Sequence, residues 1–190
     1  MKRNSRWAVV ALGVATVQVG AILVFRAVDR QRESPKSALS FAHERLTPRP
    51  APDLQWLGLD GSPQRLSAYR GRPLLLHFWA TWCPPCKAEL PALLALGRDL
   101  ERDGGPRIIA LATDPDWEAI RRFFEGKVPS EVVRDASGDG AASYEVSTLP
   151  NTYLVSADGD LLLRFGGARD WSSEAARRLL LATIRTPRAP

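Results

Sequence analysis

The sequence predicts an α/β domain, with a mixed β-sheet covered by helices, behind one N-terminal transmembrane helix. Three observations carry this prediction. From residue 53 onward short apolar segments alternate with helical patterns, residues 73–79 form an apolar run interrupted by His77, and residues 7–25 contain no charged side chain. Alternating strands and helices are typical of a sheet with helices packed against it, and the apolar run is typical of a buried central strand.

Residues 7–25 predict an uncleaved signal anchor. A helix of these 19 residues rises about 28 Å, which is close to the hydrocarbon thickness of a bilayer. Residues 1–6 form a basic flank, as in a signal peptide, but the run exceeds the usual apolar region of about 7–15 residues and no small-residue cleavage site follows it. Cleavage as a signal peptide is the alternative.

The net charge of +5 comes entirely from the region around this run. Seven basic and two acidic side chains lie in residues 1–36, and the remaining residues carry equal numbers of both signs. Because the rest of the chain has no excess positive charge to neutralise phosphates, we expect no nucleic-acid partner. Residues 26–52 are polar and proline-containing, which predicts a linker, and residues 53–187 are expected to form the folded domain.

The first elements of the domain are marked by turn residues and by apolar spacing. Residues 54–59 and 64–66 predict a β-hairpin that turns at Asp60-Gly61. The apolar run that follows leads into a helix predicted for residues 85–101, in which leucines recur on one side and which Gly104-Gly105 ends.

The second half of the domain continues the alternation and ends on a helix. Asp114-Pro115 is typical of a helix N-cap followed by proline at the first helical position, and Asp170 or Ser172 is expected to cap the last helix. In chain order we expect a strand at 107–112, a helix after Asp114, a short strand at 131–134, a helical turn at 140–144, a hairpin of strands 152–155 and 161–165, and a helix to about residue 185.

Two cysteines, Cys83 and Cys86, lie directly after the predicted central strand and open the following helix. At a helix N-terminus the unpaired N–H groups and the helix dipole stabilise a thiolate, the species that attacks a disulfide. Cys83, the earlier and more exposed, is the expected attacking thiol, and Cys86 the expected resolving thiol. Pro84 and Pro85 between them lack N–H donors and stiffen the loop. A structural disulfide or half of a metal site is the alternative interpretation of the pair.

The segment from Phe78 to Pro91, with the sequence FWATWCPPCKAELP, resembles the active-site segment of membrane-tethered thioredoxin-like proteins of the TlpA/ResA/CcmG type. The resemblance extends to the preceding hairpin and to residues 149–153, and it covers about residues 53–185. It implies a thioredoxin-like fold with an N-terminal β-hairpin extension and a βα insert at residues 107–135.

The same resemblance implies a function. Members of this family are bacterial thiol–disulfide oxidoreductases that face the periplasm or the cell exterior, and several reduce disulfides, notably on apocytochromes c before haem attachment. It therefore implies protein thiols and disulfides as substrates, apocytochrome c among them, and a membrane thiol carrier as the electron donor. No organic cofactor is expected, because the cysteine pair carries both electrons.

Four residues are expected to contact the substrate. Pro150 matches the family's cis-proline, which implies a cis Leu149–Pro150 bond; an ordinary trans proline is the alternative. A cis bond would turn the backbone of Leu149 toward the sulfurs, where it can pair with an extended substrate chain. Trp82 and Pro84, on either side of Cys83, are expected to form part of the substrate surface.

Two titratable residues are candidates for moving protons at the cysteines. Glu89 lies three residues after Cys86 and matches a functional glutamate of the ResA-like branch; a solvent-facing helix residue is the alternative. His77 lies six residues before Cys83, where thioredoxin carries a buried acid. Its strand register aims it toward the helix, and its imidazole could accept the Cys86 proton; a core histidine with one hydrogen bond is the alternative.

We therefore expect a membrane-anchored protein-disulfide reductase, with cytochrome c maturation as the implied process. Redox direction is not readable from the residues, so a disulfide oxidase or isomerase is one alternative. A copper-handling module on the same fold is another, and it needs a third ligand. No histidine follows His77, and His43 lies in the predicted linker, so no metal site is expected.

Overall fold

The computed structural model describes residues 41–135 and 137–185. The basic flank, the predicted anchor at residues 7–25 and the first part of the predicted linker lie outside the described residues. Within them, no helix is both long enough and apolar enough to span a bilayer.

The described residues form one mixed sheet of eight strands. The strands are β1 (Glu44–Pro50), β2 (Gln55–Leu57), β3 (Pro63–Arg65), β4 (Leu74–Trp79), β5 (Arg107–Ala112), β6 (Val132–Arg134), β7 (Asn151–Val155) and β8 (Asp160–Gly166). Across the sheet they lie in the order β1-β8-β7-β4-β5-β6-β2-β3. The strand β4 lies at the centre, parallel to β5 and antiparallel to β7. The mixed sheet with flanking helices and the N-terminal hairpin, β2–β3, are confirmed.

Helices cover the two faces of this sheet unequally. They are α1 (Pro84–Arg102), α2 (Trp117–Phe123), α3 (Asp139–Ser143) and α4 (Glu174–Arg185), with a 3₁₀ turn at Leu66–Tyr69. One face packs against α1, α2 and α4, which contribute buried residues such as Leu90, Ile120 and Leu180. The opposite face is covered by the 3₁₀ turn and by the residues at the end of α3, through Leu66 and Tyr144, and β2 adds Trp56 to the same cluster.

The alternation of side chains along β4 decides which of them reach α1. Leu75 and Trp79 pack in the cluster that contains the α1 leucines, whereas Leu76 and Phe78 pack in the opposite cluster. His77 falls between Leu75 and Trp79 in this period of two and therefore faces α1. The strand register that aims His77 toward the cysteine-bearing helix is confirmed.

The N-terminal edge of the sheet differs from the sequence prediction. Residues 44–50, placed in the predicted linker, form β1 and pair antiparallel with β8. Just before them, the buried ring of Phe41 packs edge-on against Phe165 and Trp171. The linker prediction was wrong for this segment because β1 is an exposed edge strand, held by backbone pairing, and so shows no apolar alternation.

Two helix starts also differ from the prediction. The N-cap of α2 is Asp116, whose carboxylate accepts hydrogen bonds from the N–H groups of Glu118 and Ala119. Asp114 is buried and is not a cap.

At α4 the hydroxyl of Ser173 accepts the N–H of Ala176, where Asp170 or Ser172 was predicted to cap the helix. In each case neighbouring residues of the same capping type compete, and tertiary contacts decide between them.

Candidate active site

The cysteine pair lies where β4 ends and α1 begins. Cys83 is the N-cap of α1 and forms a disulfide with Cys86, with 5.3 Å between their Cα atoms. The N–H of Cys86 donates to the Cys83 sulfur over 3.3 Å. Because Pro84 and Pro85 occupy the first two helical positions and lack N–H groups, this is the first donor that the helix can offer the sulfur.

The loop before Cys83 is held by a contact that the sequence did not predict. The Asp114 carboxylate accepts the Thr81 N–H at 3.0 Å and the Thr81 hydroxyl at 2.6 Å. The N–H of Thr113 donates to the carbonyl of Trp79. The end of β5 therefore positions the turn from which Trp82 and Cys83 project.

A groove of about 580 Å³ opens beside the Cys83 sulfur. It brings together Trp82, Pro84 and Leu149, three of the four residues expected to contact substrate. Trp82 is 65% exposed. The side chains that line the groove in the described part of the chain carry no charge. This lining can receive an extended polypeptide segment with apolar or neutral side chains.

Pro150, the fourth expected contact, is buried and does not line the groove, and the Leu149–Pro150 peptide bond is cis. The isomer predicted from the resemblance is therefore confirmed. The carbonyl of Pro150 accepts the N–H of Gly167, which ties this loop to the end of β8.

Glu89 is buried on the inner side of α1, with 5% of its surface exposed. The solvent-facing alternative was therefore wrong. Its Oε2 accepts the backbone N–H of Arg169 at 2.6 Å. Burial raises the pKa of Glu89 to about 7, against the lowering influence of that hydrogen bond, the Trp171 indole N–H and the Arg169 charge. The carboxyl group can therefore exchange a proton near neutral pH, one helical turn after Cys86.

His77 lies on β4, faces Glu89 of α1 and is fully buried. Its Nδ1 lies 2.9 Å from the hydroxyl oxygen of Thr152, on the neighbouring strand β7. Its Nε2 lies 3.8 Å from Oε1 of Glu89. Burial lowers the pKa of His77 to about 3, so its ring is neutral at physiological pH. The approach of His77 to Glu89 and its contact with Thr152 were not predicted, because these residues come together only in the folded domain.

The second histidine lies elsewhere. His43 is exposed just before β1, and its Nδ1 lies 3.2 Å from the carbonyl oxygen of Phe41. Across residues 41–135 and 137–185, no three His, Cys, Asp or Glu side chains are grouped so as to hold a metal ion.

Comparison with known proteins finds relatives that are named as thiol-disulfide oxidoreductases. The family model described as "AhpC/TSA family" matches residues 48–163. Thiol-disulfide oxidoreductase ResA of Oceanobacillus iheyensis is 32% identical over 116 residues, which cover 58% of this chain and 60% of that protein. The ResA of Bacillus thuringiensis subsp. konkukian is 32% identical over 120 residues, with 62% of this chain and 68% of that protein covered. The chain thus spans about 60% to 68% of the length of these curated relatives.

A solved structure of a protein with a related name is similar to a larger share of the chain. A crystal structure assigned to a thiol:disulfide interchange protein DsbE from Chlorobium tepidum superimposes with a TM-score of 0.65 at 28% sequence identity. The superposition covers 74% of this chain and 99% of that one.

Proposed function

The chain belongs to the AhpC/TSA family and has a thioredoxin-like α/β fold, and we propose that it is a membrane-anchored thiol–disulfide oxidoreductase acting as a disulfide reductase. One observation carries the proposal. The Cys83–Cys86 disulfide lies at the N-terminus of α1, at the mouth of an uncharged groove, with a buried carboxyl group one turn behind it. The names of the relatives, oxidoreductase and interchange protein, support the same chemistry.

The reaction starts from the reduced pair. The Cys83 thiolate attacks one sulfur of a substrate disulfide, forms a mixed disulfide and releases the other substrate sulfur as a thiolate, which takes up a proton. The Cys86 thiolate then attacks the Cys83 sulfur, releases the second substrate thiol and closes the Cys83–Cys86 disulfide. Two electrons pass to the substrate, and its two protons come from the two cysteine thiols. Glu89 is the group that takes the proton of Cys86.

The groove supplies substrate binding. Trp82 and Pro84 flank Cys83, which carries the attacking sulfur, and Leu149 lines the same groove. There the backbone of Leu149 can pair with an extended substrate chain as an added strand, which leaves recognition to the main chain and to neutral contacts. Such binding suits an unfolded or flexible protein that carries a disulfide.

The setting and partners of this activity are part of the proposal. The uncharged run at residues 7–25 supports a single-pass anchor, with the domain on the periplasmic or extracytoplasmic side. On that side a reductase must be reduced again by a thiol carrier in the membrane, since each turnover leaves its cysteine pair oxidised. The resemblance to proteins of the TlpA/ResA/CcmG type supports apocytochrome c as the substrate and cytochrome c maturation as the process.

Trapping the mixed disulfide tests the exchange chemistry. In full-length chain in detergent-solubilised membranes, reduced Cys86→Ser should form a thiol-sensitive adduct with an oxidised peptide that carries a Cys-x-x-Cys-His disulfide. The matched control, Cys83→Ser, keeps only the more buried cysteine and should form none. An equal yield from both variants, or none from either, would refute attack by Cys83.

The reduction potential decides between a reductase and its alternatives. A value near or below about −250 mV for the Cys83–Cys86 pair would support a reductase. A value near or above about −150 mV would replace it with a disulfide oxidase or isomerase.

A further inference from the structure

Two buried polar atoms, one on β4 and one on α1, face each other without a hydrogen bond. In the described residues, buried side-chain nitrogen or oxygen atoms without a partner are rare, and they include His77 Nε2 and Glu89 Oε1. These two atoms lie 3.8 Å apart. That distance is about 1 Å too long for a hydrogen bond and too short for a water molecule between them. A small movement of one side chain would pair them.

The contact of His77 with Thr152 indicates which ring nitrogen carries the proton. Thr152 is buried, and its hydroxyl has no other hydrogen-bond partner among the described residues. If Nδ1 carried the proton and donated to Thr152, the hydroxyl hydrogen would be left buried without an acceptor. If the hydroxyl donates to Nδ1, both groups are satisfied and the ring proton lies on Nε2. This tautomer points an N–H donor at Glu89.

We propose that His77 is a positioning residue whose neutral imidazole, oriented by Thr152, donates its Nε2–H to Glu89 Oε1 whenever that carboxyl group is ionised. This role rests on the proposed function, in which Glu89 takes the proton of Cys86. It differs from the hypothesis that His77 itself accepts that proton, because a histidine whose pKa burial lowers to about 3 is a poor base and remains a good donor.

The surroundings of Glu89 show what the donor adds. Oε2 already accepts the Arg169 N–H, and the Trp171 indole N–H faces the carboxyl group without a standard hydrogen bond. The charged side chain of Arg169 acts from the loop after β8, and Cys86 lies one turn earlier on the same helix. From β4, His77 is the group that faces Oε1. It therefore completes the set of donors for the carboxylate.

The consequence for the reaction is a coupled proton step in which His77 remains neutral. The Cys86 thiol loses its proton to the Glu89 carboxylate, giving a thiolate and a neutral carboxylic acid. The Nε2–H contact is then no longer to a charged group and weakens. After the thiolate has closed the disulfide, Glu89 gives its proton to the solvent or to the leaving substrate thiolate and is held again by His77. A donor to the ionised form makes Glu89 a weaker base and sets the pH at which this step occurs.

Direct titration of Glu89 tests this role without any substrate. Full-length oxidised protein in detergent, labelled with ¹³C at the glutamate carboxyl carbons, is titrated by NMR, and Glu89→Gln identifies the Glu89 signal by its loss. His77→Leu and His77→Gln have similar volumes, but glutamine alone places an N–H donor near Oε1. We expect the Glu89 midpoint to rise by about one pH unit or more in His77→Leu and to stay within about half a unit of the parent in His77→Gln.

Equal midpoints in the two variants, or a lower midpoint in His77→Leu, would overturn the proposal. If His77→Leu does not fold, the double variant His77→Leu/Thr152→Val, which replaces both hydrogen-bond partners by apolar groups, takes its place. Because the titration involves no turnover, its outcome is independent of the Cys86→Ser trapping experiment. Trapping that fails beside a shifted midpoint would refute the exchange activity and leave the His77–Glu89 contact intact.

Discussion

The carboxylate of Asp114, two residues after the end of β5, accepts hydrogen bonds from both the backbone N–H and the hydroxyl of Thr81. Thr81 lies two residues before Cys83, so this contact positions Cys83 relative to the groove. Asp114 belongs to the sequence Asp-Pro-Asp, in which its neighbour Asp116 caps a helix instead. The two aspartates therefore have different tasks although they lie two residues apart.

Replacing each aspartate by alanine should separate these tasks. Asp114→Ala leaves the Thr81 N–H and hydroxyl without a partner, so we expect the free energy of unfolding to fall by about 2 kcal/mol and the reaction of Cys83 with a disulfide to slow. Asp116→Ala, the matched control, removes an exposed cap and should cost about 1 kcal/mol without slowing Cys83. Thermal unfolding and stopped-flow kinetics measure the two effects, and equal rates in both variants would contradict the positioning role.

The stability of the domain should be nearly constant between pH 4.5 and 6.5, because two buried groups oppose each other. Burial raises the pKa of Glu89 from 4.5 to about 7, so the folded state keeps a proton that the unfolded chain releases, and stability falls as the pH rises. Burial lowers the pKa of His77 from 6.5 to about 3, so the unfolded chain binds a proton that the folded state does not, and stability rises with pH.

Replacing either group should reveal the pH dependence of the free energy of unfolding that the other group causes. In Glu89→Gln the free energy of unfolding should rise with pH across that window, by up to about 1.4 kcal/mol per pH unit. In His77→Gln it should fall by a similar amount. Denaturant titrations at several pH values measure both slopes. Slopes of the same sign in the two variants would show that the groups do not oppose each other.

Trp82 should contribute to substrate binding and little to folding, because 65% of its surface is exposed. We expect Trp82→Ala to lower kcat/KM for a disulfide-bonded peptide by about tenfold, with a change in stability below about 0.5 kcal/mol. Leu59→Ala is the matched control, since Leu59 is also a large exposed apolar residue, at 41%, and does not line the groove. Equal losses in the two variants would argue against substrate contact by Trp82.

Pro85 should slow the reaction of reduced Cys83 with alkylating reagents. It occupies the second helical position, whose N–H commonly donates to the N-cap side chain. Pro85→Ala restores that donor to the sulfur and stabilises the thiolate, so we expect alkylation of Cys83 at neutral pH to become about threefold faster or more. Pro84→Ala, one position earlier, should change this rate less. Iodoacetamide kinetics measure both rates, and a larger gain in Pro84→Ala would contradict the assignment of the donor.

Local patterns predicted the cysteine site, and long-range contacts explain what they missed. Cys83 and Cys86 follow an apolar strand and open a helix, so the patterns that predict their position lie in adjacent residues. The His77–Thr152 contact joins residues 75 positions apart, and no periodicity indicates it. The strand at residues 44–50 was missed because its side chains are mostly exposed and its stability comes from backbone bonds to β8.

The outermost strands of the sheet have a consequence for self-association. Both rims, β1 and β3, contain proline: Pro48 and Pro50 in one, Pro63 in the other. Proline has no N–H to offer a neighbouring strand, and a rim interrupted by it is a poor template for the stacking of further copies. The uncharged groove beside Cys83 therefore lies on a domain whose two sheet edges resist pairing with further copies of the chain.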